Sequence, residues 1–302
     1  MRGAQALVLL VAASACSGQD APAGYARLGE RALDYTAQAV ALGPRPAGSE
    51  AQARQQAFIL ERLRQFRCEL AEDDFTAETP AGPRRMKNIL CDFPGESERL
   101  IVVSGHYDTL DPSTRPGLGR FVGANDGGSS TGFLLALAEL LDGQRTRDTI
   151  RIAFFDGEES AVSWQGDDHT YGSRRLARQW AADATASRIR AVVNVDMIGD
   201  ADLNVLYEGN STPWLRDLVF SVAHRLGYAK QFPRGSPAYI EDDHLPFLAA
   251  GIPAVDLIDF DYGLLNRHWH TAEDTLDKLD AGSFAIMLHV VRETIAELET
   301  RP

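Results

Sequence analysis

The stretch from Thr149 to Arg175 constrains this chain more than any other. A mostly apolar run, Ile150 to Phe155, stops at Asp156-Gly157, and two adjacent carboxylates follow, Glu158 and Glu159. An apolar run of this length closed by a glycine predicts a buried strand. Acids just past the carboxyl end of such a strand lie where open α/β sheets keep their active sites. Two neighbouring acids there can divide labour, one binding a metal and the other moving protons. Taken alone, the pair also reads as a polar turn with two solvated glutamates. The rest of the chain decides between these readings.

Strand-like and helical stretches alternate on both sides of that run. Tyr25 to Leu42 reads as an amphipathic helix stopped by Gly43-Pro44, and Ser49 to Phe66 as another. Strands are expected around 68–75 and 86–93, with the polar stretch Glu78 to Arg85 as a hairpin connection. Leu100 to Val103 is a buried strand ending at Ser104-Gly105-His106-Tyr107-Asp108. A loop rich in Pro and Gly leads to Gly123-Ala124-Asn125-Asp126, and a helix runs from Ser129 to Leu141. Beyond the Glu pair come a helix through Leu176 and Trp180, a strand from Ala191 to Asp196, an edge pairing over Asn204 to Tyr207, and a helix from Trp214 to Leu226. A short helix from Leu245 to Ala250, a last strand from Ala254 to Ile258, and a closing helix through Phe284 and Leu298 complete the order. This alternation predicts one α/β domain, with a central, mostly parallel twisted sheet and helices on both faces.

A formal net charge of -13 over 302 residues argues against a nucleic-acid binder, which would need a basic face, and disfavours anionic lipid surfaces. The N-terminus reads as a targeting segment. Arg2 precedes an apolar run from Ala6 to Ala12 that is too short to span a bilayer, and Ala13-Ser14-Ala15-Cys16 follows. Ordinary signal cleavage fits Ala13-x-Ala15. The small residues directly before Cys16, with a polar tether after it, resemble a bacterial lipobox and are the favoured reading. Residues 1–15 are then a leader, and 16–302 the mature domain. The chain is expected to be exported and anchored by a lipid on Cys16 in the periplasm or outer membrane, or otherwise secreted, with no membrane span. Cys68 and Cys91 either pair, as exported proteins allow, or stay buried thiols.

Separate strand ends carry candidate ligands: His106 and Asp108, Glu158 and Glu159, and Asp196. His270 lies beyond the last strand, and Asp126 opens a helix. A sheet gathers its carboxyl ends on one edge, so these residues can converge, and His with carboxylates suits zinc.

At this point the chain resembles a known family. Gly105-His106-Tyr107-Asp108, Gly123-Ala124-Asn125-Asp126, Phe155-Asp156-Gly157-Glu158-Glu159, Asp196-Met197-Ile198-Gly199 and Trp269-His270-Thr271 look like the zinc aminopeptidase clan with co-catalytic metal sites. More narrowly, the chain is similar to glutaminyl-peptide cyclotransferases. Trp164 after the Glu pair, Tyr171-Gly172-Ser173-Arg174, Glu241-Asp242-Asp243-His244-Leu245-Pro246-Phe247, Trp269 before His270, and Arg45-Pro46-Ala47-Gly48-Ser49 carry that likeness. The resemblance implies that Asp126, Glu159 and His270 bind zinc and that Glu158 is the general acid/base. It implies an acidic cluster of Asp196 and Asp242, pocket walls of Trp164 and Trp269, and Asp108 behind the ligands. His106 and Asp196 could complete a second metal site beside Asp126, so one zinc is expected and two are allowed. The chain departs from the pattern at Gly127-Gly128-Ser129-Ser130, which looks more like the bacterial peptidases, and at Asp256, where animal cyclases have His.

The implied reaction closes an N-terminal glutamine of a peptide or protein into pyroglutamate and releases ammonia. A zinc aminopeptidase acting on the same free N-termini is the alternative, because the same ligands serve both. A non-catalytic binding lipoprotein is a third reading, and the intact Glu158 and ligand set speak against it. Asp243 is expected to cap the helix after it. His268 is expected on the pocket rim, and His169, His224 and His289 are read as structural or exposed.

Overall fold

A computed structural model describes residues 21–301, so the expected leader and Cys16 lie outside the described residues. The helices are α1 (Ala23–Val40), α2 (Glu50–Leu63), α3 (Gly128–Leu141), α4 (Tyr171–Ala182), α5 (Pro213–Arg225), α6 (His244–Ala249) and α7 (Ala281–Thr300). The strands are β1 (Glu69–Thr79), β2 (Gly82–Phe93), β3 (Ser97–His106), β4 (Asp148–Phe155), β5 (Ile189–Asp196) and β6 (Ala254–Ile258). They form a six-stranded sheet in the order β1-β2-β4-β3-β5-β6. Strands β4, β3, β5 and β6 run parallel, as expected, while β2 joins β4 antiparallel and carries β1 as a hairpin.

Alternating residues of the strands feed two cores, which is why these runs read as apolar throughout. Ile101, Val103, Ile150, Ile152, Val193 and Leu257 face α1, α3, α5 and α7. Leu100, Val102, Ala153, Phe155 and Val192 face Leu176 and Trp180 of α4 and Phe247 of α6. Helix α1 lies directly on α3: a Cβ at Gly132 would sit 2.1 Å from Thr36 Oγ1 and 2.3 Å from Ala32 O, so only glycine permits the approach. Ser49 caps α2 by accepting the Gln52 N–H at 3.1 Å, as its sequence position predicts.

Two expectations are corrected here. The hairpin connection does not span 78–85: pairing continues to Thr79↔Gly82, leaving a two-residue turn at Pro80-Ala81. Pro83 is tolerated inside β2 because β4 pairs only with residues 89–93, so its missing N–H faces an open side. The edge pairing expected over Asn204 to Tyr207 forms no strand. Within it, the Leu206 N–H still donates to Ile258 O at 2.9 Å on the free side of β6, and beyond it the Thr212 N–H donates to Ala254 O at 2.8 Å. The alternative left open for the cysteines resolves as a disulfide, Cys68–Cys91, with Cα atoms 5.6 Å apart.

Candidate active site

The parallel strands bring their carboxyl ends to one edge, and the expected residues meet there. His106 ends β3, Asp196 ends β5, and Glu158 and Glu159 follow β4. Asp126 precedes α3 through Gly127, whose φ is +76° and whose Cβ would lie 2.2 Å from Asp108 O. Any other residue there would push α3 and Asp126 away from β3. His270 comes from the loop after β6 and takes φ +53°, an uncommon backbone state at the residue most remote in sequence from the other donors.

Two buried carboxylates hold the donors in place through the backbone. Asp108, fully buried, accepts the Glu158 N–H at 3.1 Å and the Glu159 N–H at 3.2 Å. Asp274 accepts the Asn125 N–H at 2.8 Å, the Asp126 N–H at 3.1 Å and the Tyr262 hydroxyl at 2.8 Å. The sequence reading missed Asp274. It stands in the polar run Thr271-Ala272-Glu273-Asp274, where nothing local separates it from its neighbour Glu273.

The donors fall into two sets that share Asp126. In one, His270 Nε2 lies 3.2 Å from Asp126 Oδ2 and 3.3 Å from Glu159 Oε1. In the other, His106 Nε2 lies 3.1 Å from Asp196 Oδ1 and 3.3 Å from Asp126 Oδ1. Asp126 Oδ2 and both Glu159 carboxylate oxygens are buried and accept no hydrogen bond. Such oxygens fit a cation, because desolvated anions without donors are otherwise strongly unfavourable. A further buried group, Asp242, His244 and Asp256, sits behind the floor, with Asn194 Nδ2 donating to Asp242 at 2.9 Å and to Asp256 at 3.2 Å.

Burial pushes the Glu158 carboxyl well above its usual range; His106 opposes the shift, and Glu159 and Asp242 reinforce it. Burial likewise raises Asp196 to about 7, against the hydrogen bond from His106. For His270, burial alone would lower the imidazole, but Glu159 and Asp126 outweigh it and hold it at about 10. A carboxyl raised in this way holds a proton more readily than a solvated one, as a group that takes and returns a proton must.

These residues open onto a cavity of about 460 Å³, which Trp164 and Trp269 line together with Asp126, Glu158, Glu159, Asp196 and Asp242. Trp164 stacks on His169 at 4.3 Å and donates its indole N–H to Glu241 at 3.0 Å. Trp269 stacks on His270 at 4.0 Å and meets the Phe260 ring edge at 4.8 Å. His169 therefore has a partner that the sequence did not reveal. His268 is not a rim residue: it is buried against Tyr262, with ring centres 5.3 Å apart. Asp243 precedes α6 without capping it, because its carboxylate accepts the Ser173 hydroxyl instead. His224 and His289 are structural, bonded to Phe232 O at 2.7 Å and the Tyr228 hydroxyl at 2.9 Å.

The sequence pattern of peptidase family M28 matches residues 88–295, which hold every donor described above. The chain belongs to peptidase family M28. Within reach of this M28 chain, a glutaminyl cyclase from an Acidobacteriales bacterium is 38% identical, superposes with a TM-score of 0.85, and is covered over 100% of its length by 96% of this chain. The glutaminyl-peptide cyclotransferase of Drosophila melanogaster is 28% identical over 276 residues, 82% of this chain and 75% of that protein. The glutaminyl-peptide cyclotransferase of Boiga irregularis is 31% identical over 243 residues, 69% of this chain, which spans 64% of the snake protein.

Proposed function

We propose that this M28 chain closes the N-terminal glutamine of peptides and proteins into pyroglutamate with release of ammonia. The observation that carries this reading is its likeness to the Acidobacteriales glutaminyl cyclase across that whole chain. The cavity, with Trp164 and Trp269 over an acidic floor, suits a folded-back glutamine side chain.

Asp126, Glu159 and His270 would hold one zinc ion, since their donors lie within 4.8 Å of one another and Asp126 Oδ2 and both Glu159 oxygens accept no hydrogen bond. When bound, zinc supplies Lewis-acid polarisation of the side-chain amide oxygen. Glu158 takes a proton from the α-amine as its nitrogen attacks the amide carbon, and returns it to the departing nitrogen. One C–N bond forms, another breaks, and ammonia leaves. Asp196 and Asp242 hold the amine by hydrogen bonds and share its charge, while Asp108 keeps Glu158 and Glu159 aimed at the reacting atoms. The two tryptophans exclude water that would otherwise compete as nucleophile.

A second reading, hydrolysis of N-terminal residues, draws on the His106, Asp126 and Asp196 set, which could take a second ion. There, Glu158 would take its proton from water. His106 and Asp196 already satisfy each other at 3.1 Å, so the single-zinc reading is preferred. Purified protein given a Gln-initiated peptide and Leu-anilide side by side tests the choice. Ammonia with a ring-closed product supports the cyclase; free N-terminal residues with no ammonia refute it.

The protein is further proposed to be exported and lipid-anchored at Cys16 after loss of residues 1–15. No helix among the described residues is long and apolar enough to cross a membrane. Mass spectrometry of the mature N-terminus decides this.

A further inference from the structure

The cavity has a buried acidic floor and an aromatic mouth, and Arg115 belongs to neither. It comes from the loop between β3 and α3 and lines the cavity half-buried. His270 apart, it is the one basic residue of that lining. Its guanidinium donates to the Ser160 carbonyl at 3.4 Å and to the Ser160 hydroxyl. Both contacts come from one terminal nitrogen, and the Nε–H is buried without an acceptor. Among the described residues, Arg115 makes no ion pair. The other charged group at the mouth, Glu241, already has the Trp164 indole N–H.

An unpaired guanidinium is unexpected in a cavity otherwise rich in acids. If it served only to brace Ser160, a neutral side chain would do. A guanidinium has donors in a planar fork matched to a carboxylate, and Arg115 leaves most of them unused. Its loop is also fixed from the far side: Arg84 pairs with Asp111 at 2.7 Å, and Asp111 accepts the Ser113 N–H at 2.8 Å. The backbone that leads to Arg115 is therefore anchored, and the Ser160 contacts hold one terminal nitrogen of the fork, which lowers the ordering cost of binding a ligand.

Ser160, the residue Arg115 touches, directly follows Glu158 and Glu159 at the floor. A substrate with its glutamine at the floor places its second residue about 3.8 Å further along the chain, toward the mouth. We propose that Arg115 binds a carboxylate on the residue that follows the N-terminal glutamine, and so makes this protein favour acidic or very short substrates. The carboxylate is either the side chain of Asp or Glu at the second position or, in a dipeptide, the chain terminus. The inference rests on the cyclase reading, which puts glutamine at the floor.

Four substrates separate the sources: Gln-Glu-amide against Gln-Gln-amide, and Gln-Ala with a free against an amidated terminus. Ammonia release gives kcat/KM for each with wild-type protein, Arg115→Gln and Arg115→Lys. Wild type should favour the acid member of at least one pair by about five- to tenfold, the worth of a charge-assisted hydrogen bond reduced by partial exposure. The ratio should fall to near one in Arg115→Gln and stay intermediate in Arg115→Lys. The pair that responds identifies the carboxylate. No preference in wild type overturns the proposal, and so does an equal loss on all four substrates in Arg115→Gln, which would make Arg115 a brace for Ser160. If no peptide releases ammonia, the cyclase reading fails instead. Calorimetric affinities of the same four peptides for the zinc-loaded proteins then decide the role of Arg115 by the same ratio.

Discussion

Replacing Asp108 by Asn tests whether the backbone clamp behind the glutamate pair sets turnover. Both carboxylate oxygens of Asp108 face N–H donors, Glu158 at 3.1 Å and Glu159 at 3.2 Å, in a fully buried setting. Asparagine has one acceptor and one NH2 group, so in either orientation one backbone N–H confronts another donor. Leaving a buried donor unsatisfied costs about 1–3 kcal/mol, and the surviving bond weakens when its acceptor loses charge. The unfolding free energy should therefore fall by about 2–4 kcal/mol, leaving a folded protein if its stability lies in the usual range of about 5–15 kcal/mol. Displacing Glu158 by even about 1 Å would lower kcat on a Gln-initiated peptide by about 100-fold. Zinc affinity, read by competition with a chelator, should fall by about 10- to 100-fold through Glu159. Asp148→Asn is the control: Asp148 is equally buried but sits at the far end of β4, paired with Arg190 at 2.7 Å and Arg99 at 3.3 Å. It should lose stability in urea and keep its kcat. If Asp108→Asn also lost stability alone, with turnover and zinc affinity unchanged, the clamp would position nothing and the reasoning would fail.

Glu158→Gln should keep zinc and fold while turnover falls by about two to four orders of magnitude, whereas Glu159→Gln should lose zinc; equal zinc loss in both would sink the division of labour. Metal analysis after removal of loosely held ions should find one zinc per chain, and its chelation should lower the melting temperature. Two retained equivalents, with activity following the second, would favour the aminopeptidase reading. Cys68→Ser with Cys91→Ser removes a link across a sequence separation of 23 residues and should cost about 3 kcal/mol in unfolding free energy with turnover unchanged. A loss of activity matching the loss of stability would place the hairpin in the function.

The strand ends and their donors were legible because both signals are local. An apolar run closed by Gly157 marks where β4 stops, and Glu158 and Glu159 follow whatever the rest of the fold does. The same holds for His106, Asp126, Asp196 and His270, each fixed by a short motif. Contacts made across the fold were not legible. Asp274 reaches back to the Asn125 and Asp126 N–H groups from a turn with no distinguishing pattern. Asp243 looked like a cap, but its carboxylate goes to Ser173 on α4, a partner that sequence spacing does not announce. Polar residues and Pro83 suggested a long hairpin connection, yet the open side of β2 accommodates both inside the ladder. The segment after Asn204 has strand-like composition, but β6 is too short to draw it into a ladder and takes only scattered hydrogen bonds from it.

The hairpin also bears on how this protein behaves in a crowd. Strand β1 is the outermost of the sheet and runs from Glu69 to Thr79, long enough for an open row of backbone donors and acceptors to recruit another chain. Glu69, Glu72, Asp74 and Glu78 are exposed along it. A second copy adding its own β1 would bring rows of like charge together, which opposes pairing. At the opposite edge, the segment from Leu206 to Thr212 already occupies part of the backbone of β6. One border is guarded by repulsion and the other by occupancy, so the sheet resists growing by self-addition when the protein is concentrated.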